Sequence, residues 1–116
     1  MQWLFAGSTE SPETSGAALF PGECSRFPAS VKSPHVGWNQ IQISSNSLLL
    51  RGVESGAFVY YTHSFRAPVI ADTVACTQYG GAFSAAVEHE NVFGVQFHPE
   101  KSAETGLKIL ENFCAL

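Results

Sequence analysis

The sequence predicts an α/β domain whose second half is an antiparallel meander followed by a C-terminal helix. Three apolar or alternating segments of strand length lie close together: Thr73–Gln78, Ala82–Glu88 and Val92–Phe97. Short segments at Gly80-Gly81 and His89–Asn91 separate them, which is typical of hairpin turns. After Ser102, a suitable helix N-cap, apolar residues recur with helical spacing between Leu107 and Cys114.

The N-terminal part is predicted to contain little regular structure. Met1–Ala6 is apolar from its first residue and is interpreted as the end of a helix. Residues 7–22 are rich in Gly, Ser, Thr, Pro and Glu, and we expect a loop that closes on a Pro21-Gly22 turn. Glu23–Phe27 is predicted to be a short strand, ended by Pro28.

The middle of the chain is predicted to hold two further strands. Gln40–Ile43 alternates polar and apolar residues, as a half-buried strand does. Ser44–Ser47 is interpreted as a turn or a cap, and Leu48–Leu50 as one short helical turn. Ala57–Ser64 is a mainly apolar run that ends on polar groups, which indicates a buried strand. We find no internal repeat, so one domain is expected.

Composition excludes several classes of protein. The chain has 116 residues, 45% of them hydrophobic, and can bury a modest core. A net charge of −4 with six basic residues argues against a nucleic-acid surface. No apolar run is long enough to cross a bilayer, and no signal peptide is evident. The three cysteines, Cys24, Cys76 and Cys114, favour free thiols in a reducing cytoplasm.

His98 and Glu100 are the first candidates for chemistry. In an extended backbone, residues two apart point to the same side and lie about 6.5 Å apart, so a carboxylate can reach an imidazole. Pro99 between them favours an extended conformation at His98. This pattern is typical of a histidine base that a carboxylate holds in one tautomer. A purely structural His-Pro-Glu turn is the alternative interpretation.

No cysteine or serine lies where a triad nucleophile is expected, on a tight glycine-flanked turn between strand and helix. Cys24 is on no such turn, Cys76 lies within a predicted strand, and Cys114 lies at the end of the predicted helix. Ser64 ends a strand, but no helix follows it. The residues therefore predict a base and an orienting acid without a nucleophile.

The remaining histidines give no metal site. His89 lies in a predicted turn among charged residues and is interpreted as a surface side chain. His63 is interpreted as a structural residue at the end of a strand. No Cys-x-x-Cys or His-x-x-x-His spacing occurs, so we expect neither a metal nor a cofactor.

Four motifs carry a resemblance to a known family: Gly94–Ser102 (GVQFHPEKS), Pro34–Asn39 (PHVGWN), Tyr61–Phe65 (YTHSF) and Gly106–Phe113 (GLKILENF). The first resembles the C-terminal signature of class I (triad) glutamine amidotransferases. The second is more specific and is similar to the glutaminase subunits of imidazole glycerol phosphate synthases, in histidine biosynthesis. The resemblance covers essentially the whole chain. It implies a three-layer, flavodoxin-like α/β fold with a mixed sheet.

The resemblance also implies roles for individual residues. In a Cys-His-Glu triad, His98 would be general base and then general acid, and Glu100 would hold its tautomer. Four residues match positions that bind L-glutamine: Gln2, Glu10, Ser64 and Phe65, with Glu10 facing the α-amino group. Four others fall where the family meets its cyclase subunit, which receives the ammonia: His35, Trp38, Asn39 and Lys101. Plain core packing is the alternative for Trp38 and Phe65.

The family's nucleophile motif is Gly-x-Cys-Leu-Gly-Met-Gln, and Met1–Phe5 matches the family's residues shortly after the cysteine. The resemblance therefore implies that residues 1–116 are one partial, C-terminal domain without the nucleophile, the first strands and one arm of the oxyanion hole. We expect the chain alone not to hydrolyse glutamine. We also expect an open sheet edge to favour self-association.

Two other functions remain open at this point. One is the glutaminase of another triad amidotransferase, such as anthranilate synthase, against which the Pro-His-x-Gly-Trp-Asn motif argues. The other is a non-catalytic interaction module that docks onto the cyclase or assembles with itself. The joint presence of His98, Glu100, Gln2 and Glu10 favours the glutaminase.

Overall fold

A computed structural model describes all 116 residues of the chain. It contains nine strands, one α-helix and two single 3₁₀ turns, in the following order: 3₁₀ turn Gln2–Leu4, β1 Phe5–Ser8, β2 Phe20–Arg26, β3 His35–Gln40, β4 Gln42–Ile43, β5 Phe58–His63, β6 Phe65–Arg66, β7 Thr73–Gln78, β8 Ala82–His89, β9 Val92–Val95, 3₁₀ turn Pro99–Lys101, and α1 Ala103–Cys114.

The strands form three sheets. The largest has the order β4-β7-β8-β9 and is antiparallel throughout. A two-stranded antiparallel sheet joins β3 to β5, with His35 opposite His63 and Gln40 opposite Phe58. In the third sheet, β1 is parallel to β2 and β2 is antiparallel to β6. The predicted α/β class, with a meander and a C-terminal helix, is confirmed.

The main core lies between the meander, the β3-β5 sheet and α1. Thirteen buried apolar residues form it, among them Tyr61, Phe83 and Ile109, each no more than 2% exposed. Burial of such side chains stabilises a fold by about 2 kcal/mol each, relative to leaving them in water. The carboxylate of Glu88 ties the Ser47–Leu49 turn to β8, accepting hydrogen bonds from the Ser47 hydroxyl and the Leu48 amide.

A smaller core lies under the N-terminal sheet. It has five buried members, which are Phe5, Phe20, Cys24, Ala67 and Val87. The rings of Phe5 and Phe20 lie 5.7 Å apart, centroid to centroid. The two cores meet at β8, where Val87 faces the small core and Ala86 the large one.

The prediction of a helix end at Met1–Ala6 was wrong. Only Gln2–Leu4 form a 3₁₀ turn, and Phe5 is already extended, with φ −83° and ψ 172°. Pairing with β2 buries the Phe5 side chain completely, and this long-range contact outweighs the local apolar pattern.

The predicted loop over residues 7–22 was also wrong at both ends, because Gly7 and Ser8 belong to β1 and β2 begins at Phe20. Between the pairs Phe5–Phe20 and Gly7–Glu23, β1 advances two residues and β2 three, which is a β-bulge. Gly22 takes up the bulge with φ +104°, and a Cβ there would lie 2.8 Å from Pro68. Pro21-Gly22 therefore bends a strand where a chain-reversing turn was expected.

The middle of the chain differs from its prediction in two ways. The strand expected at Gln40–Ile43 is divided, since Ile41 is fully buried and the chain passes from β3 in one sheet to β4 in another. The expected helical turn at Leu48–Leu50 is an ordinary turn. The predicted strand at Ala57–Ser64 corresponds to β5. The three meander strands are confirmed, although β9 ends at Val95 where the prediction extended it to Phe97.

β9 pairs with β8 on one side only, so its other side is an edge of the meander sheet. Helix α1 buries Ile109 and Asn112, while Leu107 and Phe113 are more than half exposed. None of the helices has the length and apolar character that crossing a membrane would require.

Candidate active site

His98 and Glu100 form a hydrogen-bonded pair, with 3.2 Å between Nδ1 of the imidazole and Oε2 of the carboxylate. The pair does not arise as the extended-strand argument expected. Strand β9 ends at Val95, and Pro99–Lys101 form a 3₁₀ turn preceded by His98 in an extended conformation, with φ −95° and ψ 99°. The turn brings the carboxylate back toward the ring.

The backbone around the pair is held by hydrogen bonds from two strands. The Gln96 amide still donates to the Ala85 carbonyl on β8, whereas the His98 amide donates to the Tyr60 carbonyl on β5. Between Gln96 and His98 the chain therefore passes from the meander sheet to the β3-β5 sheet. Phe97, 3% exposed, points into the large core and anchors this crossing.

Ser102 fastens the turn from the other side. Its hydroxyl donates to the His98 carbonyl at 2.7 Å and accepts the Tyr60 amide at 2.9 Å. Ser102 lies at the N-cap position of α1, as predicted, but its side chain makes no capping bond because these two partners occupy it. The Ser102 side chain therefore stabilises the turn, and only its backbone carbonyl, which accepts the Gly106 amide at 3.0 Å, contributes to the helix start.

Gly106 allows α1 to approach the turn very closely. A Cβ at this position would lie 1.8 Å from the Pro99 carbonyl oxygen, which is far inside van der Waals contact. The first turn of α1 therefore packs its backbone directly against the segment that carries Glu100, and only glycine fits there.

The electrostatics of the pair favour an ionised carboxylate. The backbone N–H of Glu100 and the hydrogen bond with His98 lower the pKa of the Glu100 carboxyl. Glu100 thus accepts from the Nδ1–H of His98 at neutral pH. That bond leaves Nε2 of the imidazole as the ring nitrogen with a free lone pair.

A cleft of about 190 Å³, lined mainly by polar residue types, lies beside β1. Its lining residues are Gln2, Trp3, Gly7, Ser8, Glu10, Ser11, Thr14 and Gly16. Two of the four predicted glutamine contacts, Gln2 and Glu10, therefore share one cleft. Ser64 and Phe65 do not line it.

Gln2 hydrogen-bonds from this cleft to two other segments of the candidate site, at Phe65 and at Gln96. Its side-chain Nε2 donates to the Phe65 carbonyl at 2.6 Å and to Oε1 of Gln96 at 2.7 Å. Gln96 precedes His98 by two residues, so a single side chain joins the cleft, strand β6 and the approach to the candidate base. Phe65 enters the site through its backbone oxygen.

Of the four residues expected at a partner interface, two are well exposed. Trp38 is 53% exposed, and its ring meets Tyr60 edge to face at 5.9 Å. The Lys101 ammonium lies 5.9 Å from the centre of the same Tyr60 ring, within cation–π range. Trp38, Tyr60 and Lys101 form a continuous surface, which we call the aromatic patch, next to the His98–Glu100 turn.

The side chains of the other two predicted interface residues point mainly into the protein. His35 is only 4% exposed, and its ring stacks on Tyr61 and Tyr79 inside the core. Its side chain is therefore no surface contact. Asn39 is half-buried and uses its amide internally, since Nδ2 donates to Gln78 and Oδ1 accepts from Gln40.

All three cysteines are free, and none forms a hydrogen bond with His98. Cys24 is buried, and burial raises the pKa of its thiol to about 11. Burial also raises the pKa of Cys76, while Cys114 is exposed at the end of α1. No group of three or more His, Cys, Asp or Glu side chains is arranged to hold a metal ion.

The family model for class I glutamine amidotransferases matches residues 3–116. The chain belongs to the class I glutamine amidotransferase family. It is 47% identical over 115 residues to imidazole glycerol phosphate synthase subunit HisH of Archaeoglobus fulgidus, covering 97% of this chain and 58% of that protein. The HisH subunit of Moorella thermoacetica is 42% identical over 115 residues, covering 97% of this chain and 55% of that protein.

The chain thus spans little more than half the length of the curated relatives that it matches. Among solved structures, a GMP synthase protein of Thermoplasma acidophilum superposes with a TM-score of 0.63. That likeness covers 79% of this chain and 46% of the other, at 19% identity, and so shows the glutamine amidotransferase-like fold alone.

Several residues of the site were missed from the sequence. Gln96 and Ser102 act through long-range hydrogen bonds that no local pattern reports. The His35–His63 contact could not be predicted, because it depends on the register in which β3 pairs with β5. Tyr60 could have been found, because it alternates with buried Val59 and Tyr61 and so faces outward.

Proposed function

We propose that this chain supplies the general base, its orienting acid and the glutamine-binding side chains of a glutaminase that feeds ammonia to a cyclase subunit. The observation that carries the proposal is the His98–Glu100 pair, held by a turn in a chain that belongs to this family. Relatives at 42–47% identity carry the HisH name, which favours this subfamily over an anthranilate synthase glutaminase.

In the proposed reaction, Nε2 of His98 accepts the proton of a cysteine thiol. The thiolate attacks the side-chain amide carbon of glutamine, and the tetrahedral intermediate collapses as His98 returns the proton to the leaving ammonia. A water then hydrolyses the thioester with His98 again as base, which yields glutamate. None of the three cysteines of this chain hydrogen-bonds to His98, so the proposed mechanism takes its thiol from outside these 116 residues.

Glu100 has the orienting role. Its ionised carboxylate accepts from Nδ1–H, keeps the lone pair on Nε2, and stabilises the imidazolium that forms. In the cleft, the Glu10 carboxylate provides the negative charge for the α-ammonium group of glutamine. Gln2 offers its amide oxygen to a hydrogen-bond donor of the substrate.

We place the cyclase on the aromatic patch. An exposed tryptophan beside a tyrosine and a lysine has the composition of a binding surface, in which large aromatic and cationic side chains dominate affinity. The patch adjoins the His98–Glu100 turn through Lys101 and the Tyr60–His98 hydrogen bond. A partner seated there lies next to the point where ammonia is released.

The experiment that tests this function is a hybrid enzyme. The 115-residue matching segment of Archaeoglobus fulgidus HisH is replaced by the present chain, and glutamate formation is measured with the cyclase subunit present. We expect glutamine turnover that His98→Asn abolishes. Turnover that survives His98→Asn, or a folded hybrid that binds glutamine without hydrolysing it, would refute the proposal. His89→Asn is the matched control, since His89 is exposed and pairs only with Asp72.

The chain by itself should show no turnover, and its open β9 edge should promote self-association. Sedimentation velocity of the purified chain tests the second point. A single monomeric species over a wide concentration range would contradict it, whereas loss of oligomers on adding a charge to β9, as in Phe93→Lys, would support it.

A further inference from the structure

We propose that His35 and His63 are positioning residues for the glutamine cleft. They form a hydrogen-bonded relay that runs in one direction from Asn39 to the Phe65 carbonyl, and this relay fixes how the Gln2 amide faces the cleft. The identity of the ligand rests on the proposed function, but the relay itself is argued from hydrogen-bond geometry.

One end of the relay is a backbone oxygen. The Phe65 carbonyl can only accept, and it lies 2.8 Å from Nδ1 of His63 and 2.6 Å from Nε2 of Gln2. His63 must therefore carry its proton on Nδ1, and the amide nitrogen of Gln2 must point at Phe65. The second N–H of Gln2 meets Oε1 of Gln96. These two bonds use both N–H groups of the Gln2 amide, and its side-chain oxygen makes no hydrogen bond within the chain.

The other end of the relay is the Asn39 side chain. Its Oδ1 accepts from the Gln40 amide at 2.8 Å, and its Nδ2 donates to the Gln78 carbonyl at 3.1 Å. Both of these partners are backbone groups with fixed roles, so the orientation of the Asn39 amide is settled. Its remaining N–H points at Nε2 of His35, 3.2 Å away, which must accept.

The proton positions that the two ends of the relay require are consistent with each other at the His35–His63 hydrogen bond. With Nε2 of His35 accepting, its proton lies on Nδ1, which is 2.9 Å from Nε2 of His63. With the His63 proton on Nδ1, its Nε2 is free to accept that bond. Both rings are therefore neutral Nδ1–H tautomers. Adding a proton to either ring would set two N–H groups against each other.

Packing keeps the rings from turning over. The His35 ring stacks on Tyr79 at 4.0 Å and on Tyr61 at 4.8 Å, while Phe27 meets His63 edge to face at 5.0 Å. The relay is thus rigid as well as directional.

The groups around the two rings do not favour a positive charge. The titratable ones are the Tyr61 and Tyr79 phenols and His98, with the Arg66 guanidinium over Phe27, and no carboxylate bonds to either ring. Burial lowers the pKa of His35 to about 4 and also lowers the pKa of His63. The relay therefore stays neutral at physiological pH.

The relay bears on binding because Gln2 lines the cleft and shares its acceptor with His63. If His63 no longer donates to the Phe65 carbonyl, that oxygen is free to shift. The Gln2 amide that donates to the same oxygen is then no longer held in one orientation. The Gln2 oxygen then no longer presents a fixed acceptor to the amide or ammonium N–H groups of glutamine. We expect this loss to raise KM and leave kcat nearly unchanged, since the His98–Glu100 pair is untouched.

The test compares two substitutions of His63 in the hybrid enzyme. In His63→Asn, the side-chain amide places an N–H where Nδ1–H lies, so the bond to Phe65 is kept. In His63→Gln, the amide reaches the Nε2 position and that bond is lost. We expect KM for glutamine to rise about tenfold in the Gln variant and to change less than about threefold in the Asn variant. Equal KM values in the two variants, both folded, would overturn the proposal.

A second measurement does not depend on turnover. Long-range ¹⁵N–¹H correlation spectra of the 116-residue chain report the tautomer and charge of each histidine directly. We expect His35 and His63 to be neutral with the proton on Nδ1 between about pH 8 and pH 5.5. An Nε2–H tautomer or an imidazolium at about pH 6 at either position would overturn the relay. If the hybrid is inactive, the proposed function fails, while these spectra still decide the relay.

Discussion

The two cores of the molecule support different parts of the site. The large core carries the His98–Glu100 turn, which β5, β8 and α1 fix through backbone bonds and through Phe97, Ser102 and Gly106. The small core supports the cleft, whose lining residues lie on the first 3₁₀ turn, on β1 and on the loop that follows β1. Under the proposed function, the chemistry that needs fixed geometry would sit on the larger core, and ligand binding on the smaller one.

This division predicts that substitutions on the two sides will separate kcat from KM. The largest effect should come from Glu100→Gln in the hybrid enzyme, because the neutral amide no longer fixes the tautomer of His98. We expect kcat to fall about 10⁴-fold with KM little changed. Steady-state kinetics over a range of glutamine concentrations measures both constants. A large rise in KM would mean that Glu100 binds substrate instead.

A second test compares the cores themselves. Phe83 and Phe20 are almost completely buried, the first in the large core and the second in the small one. We expect Phe83→Ala to lower the free energy of unfolding by about 4 kcal/mol and Phe20→Ala by about 3 kcal/mol. Urea denaturation of the chain measures both. A greater loss for Phe20→Ala would reverse the ranking of the cores.

A third test concerns the close approach of α1 to the turn. Gly106→Ala should cost about 3 kcal/mol, because the new methyl group overlaps the Pro99 carbonyl. Gly7→Ala is the matched control in the small-core region, since its Cβ would meet nothing nearer than 4.0 Å. Equal stability of the two variants, again by urea denaturation, would show that the turn can move away from the helix.

On the cleft side, Glu10→Gln should raise KM about 30-fold in the hybrid enzyme and leave kcat nearly unchanged. The reason is the loss of a charged hydrogen-bond acceptor for the α-ammonium group. Glu13→Gln is the control, because Glu13 is exposed and does not line the cleft. A fall in kcat without a change in KM would place Glu10 in the chemistry.

The smallest expected effect is on the pH dependence of stability. The pKa of His35, about 4, and that of His63 lie below the ordinary histidine value of 6.5, so the unfolded chain binds more protons at intermediate pH. Stability should therefore fall as pH drops from about 7 toward 4.5, with Tm lower by about 5 °C. The double variant His35→Asn with His63→Asn should flatten this slope in a thermal scan. An unchanged slope would show that other titratable groups cause the pH dependence of stability.

The sequence predicted the elements whose pattern is local. The meander strands alternate clearly, α1 has regular apolar spacing, and the His-Pro-Glu motif located the candidate base and acid. The sequence-based prediction failed where pairing with a distant segment decides the conformation. Phe5 and Phe20 become strand residues only because they face each other, and the bulge at Gly22 mimics a turn in sequence.

The site was predicted in the same uneven way. Family motifs identified Gln2 and Glu10, which do share a cleft, and Trp38 and Lys101, which are exposed together. The resemblance places His35 at a partner interface, whereas the alternation of β3 turns its ring inward, where it is 4% exposed. No sequence pattern could show that Asn39 also bonds inward.

The Phe65 carbonyl has a consequence for how mutations at this site are interpreted. Two side chains converge on an atom that every residue type possesses, so a scan of all twenty amino acids at position 65 leaves that oxygen in place. Position 65 would then score as tolerant, while its neighbours Gln2 and His63 score as sensitive. Among natural sequences we expect position 65 to vary and positions 2 and 63 to vary little, because selection on side chains does not act on the shared carbonyl oxygen. Only replacing the peptide bond itself, for instance with an ester, would expose it.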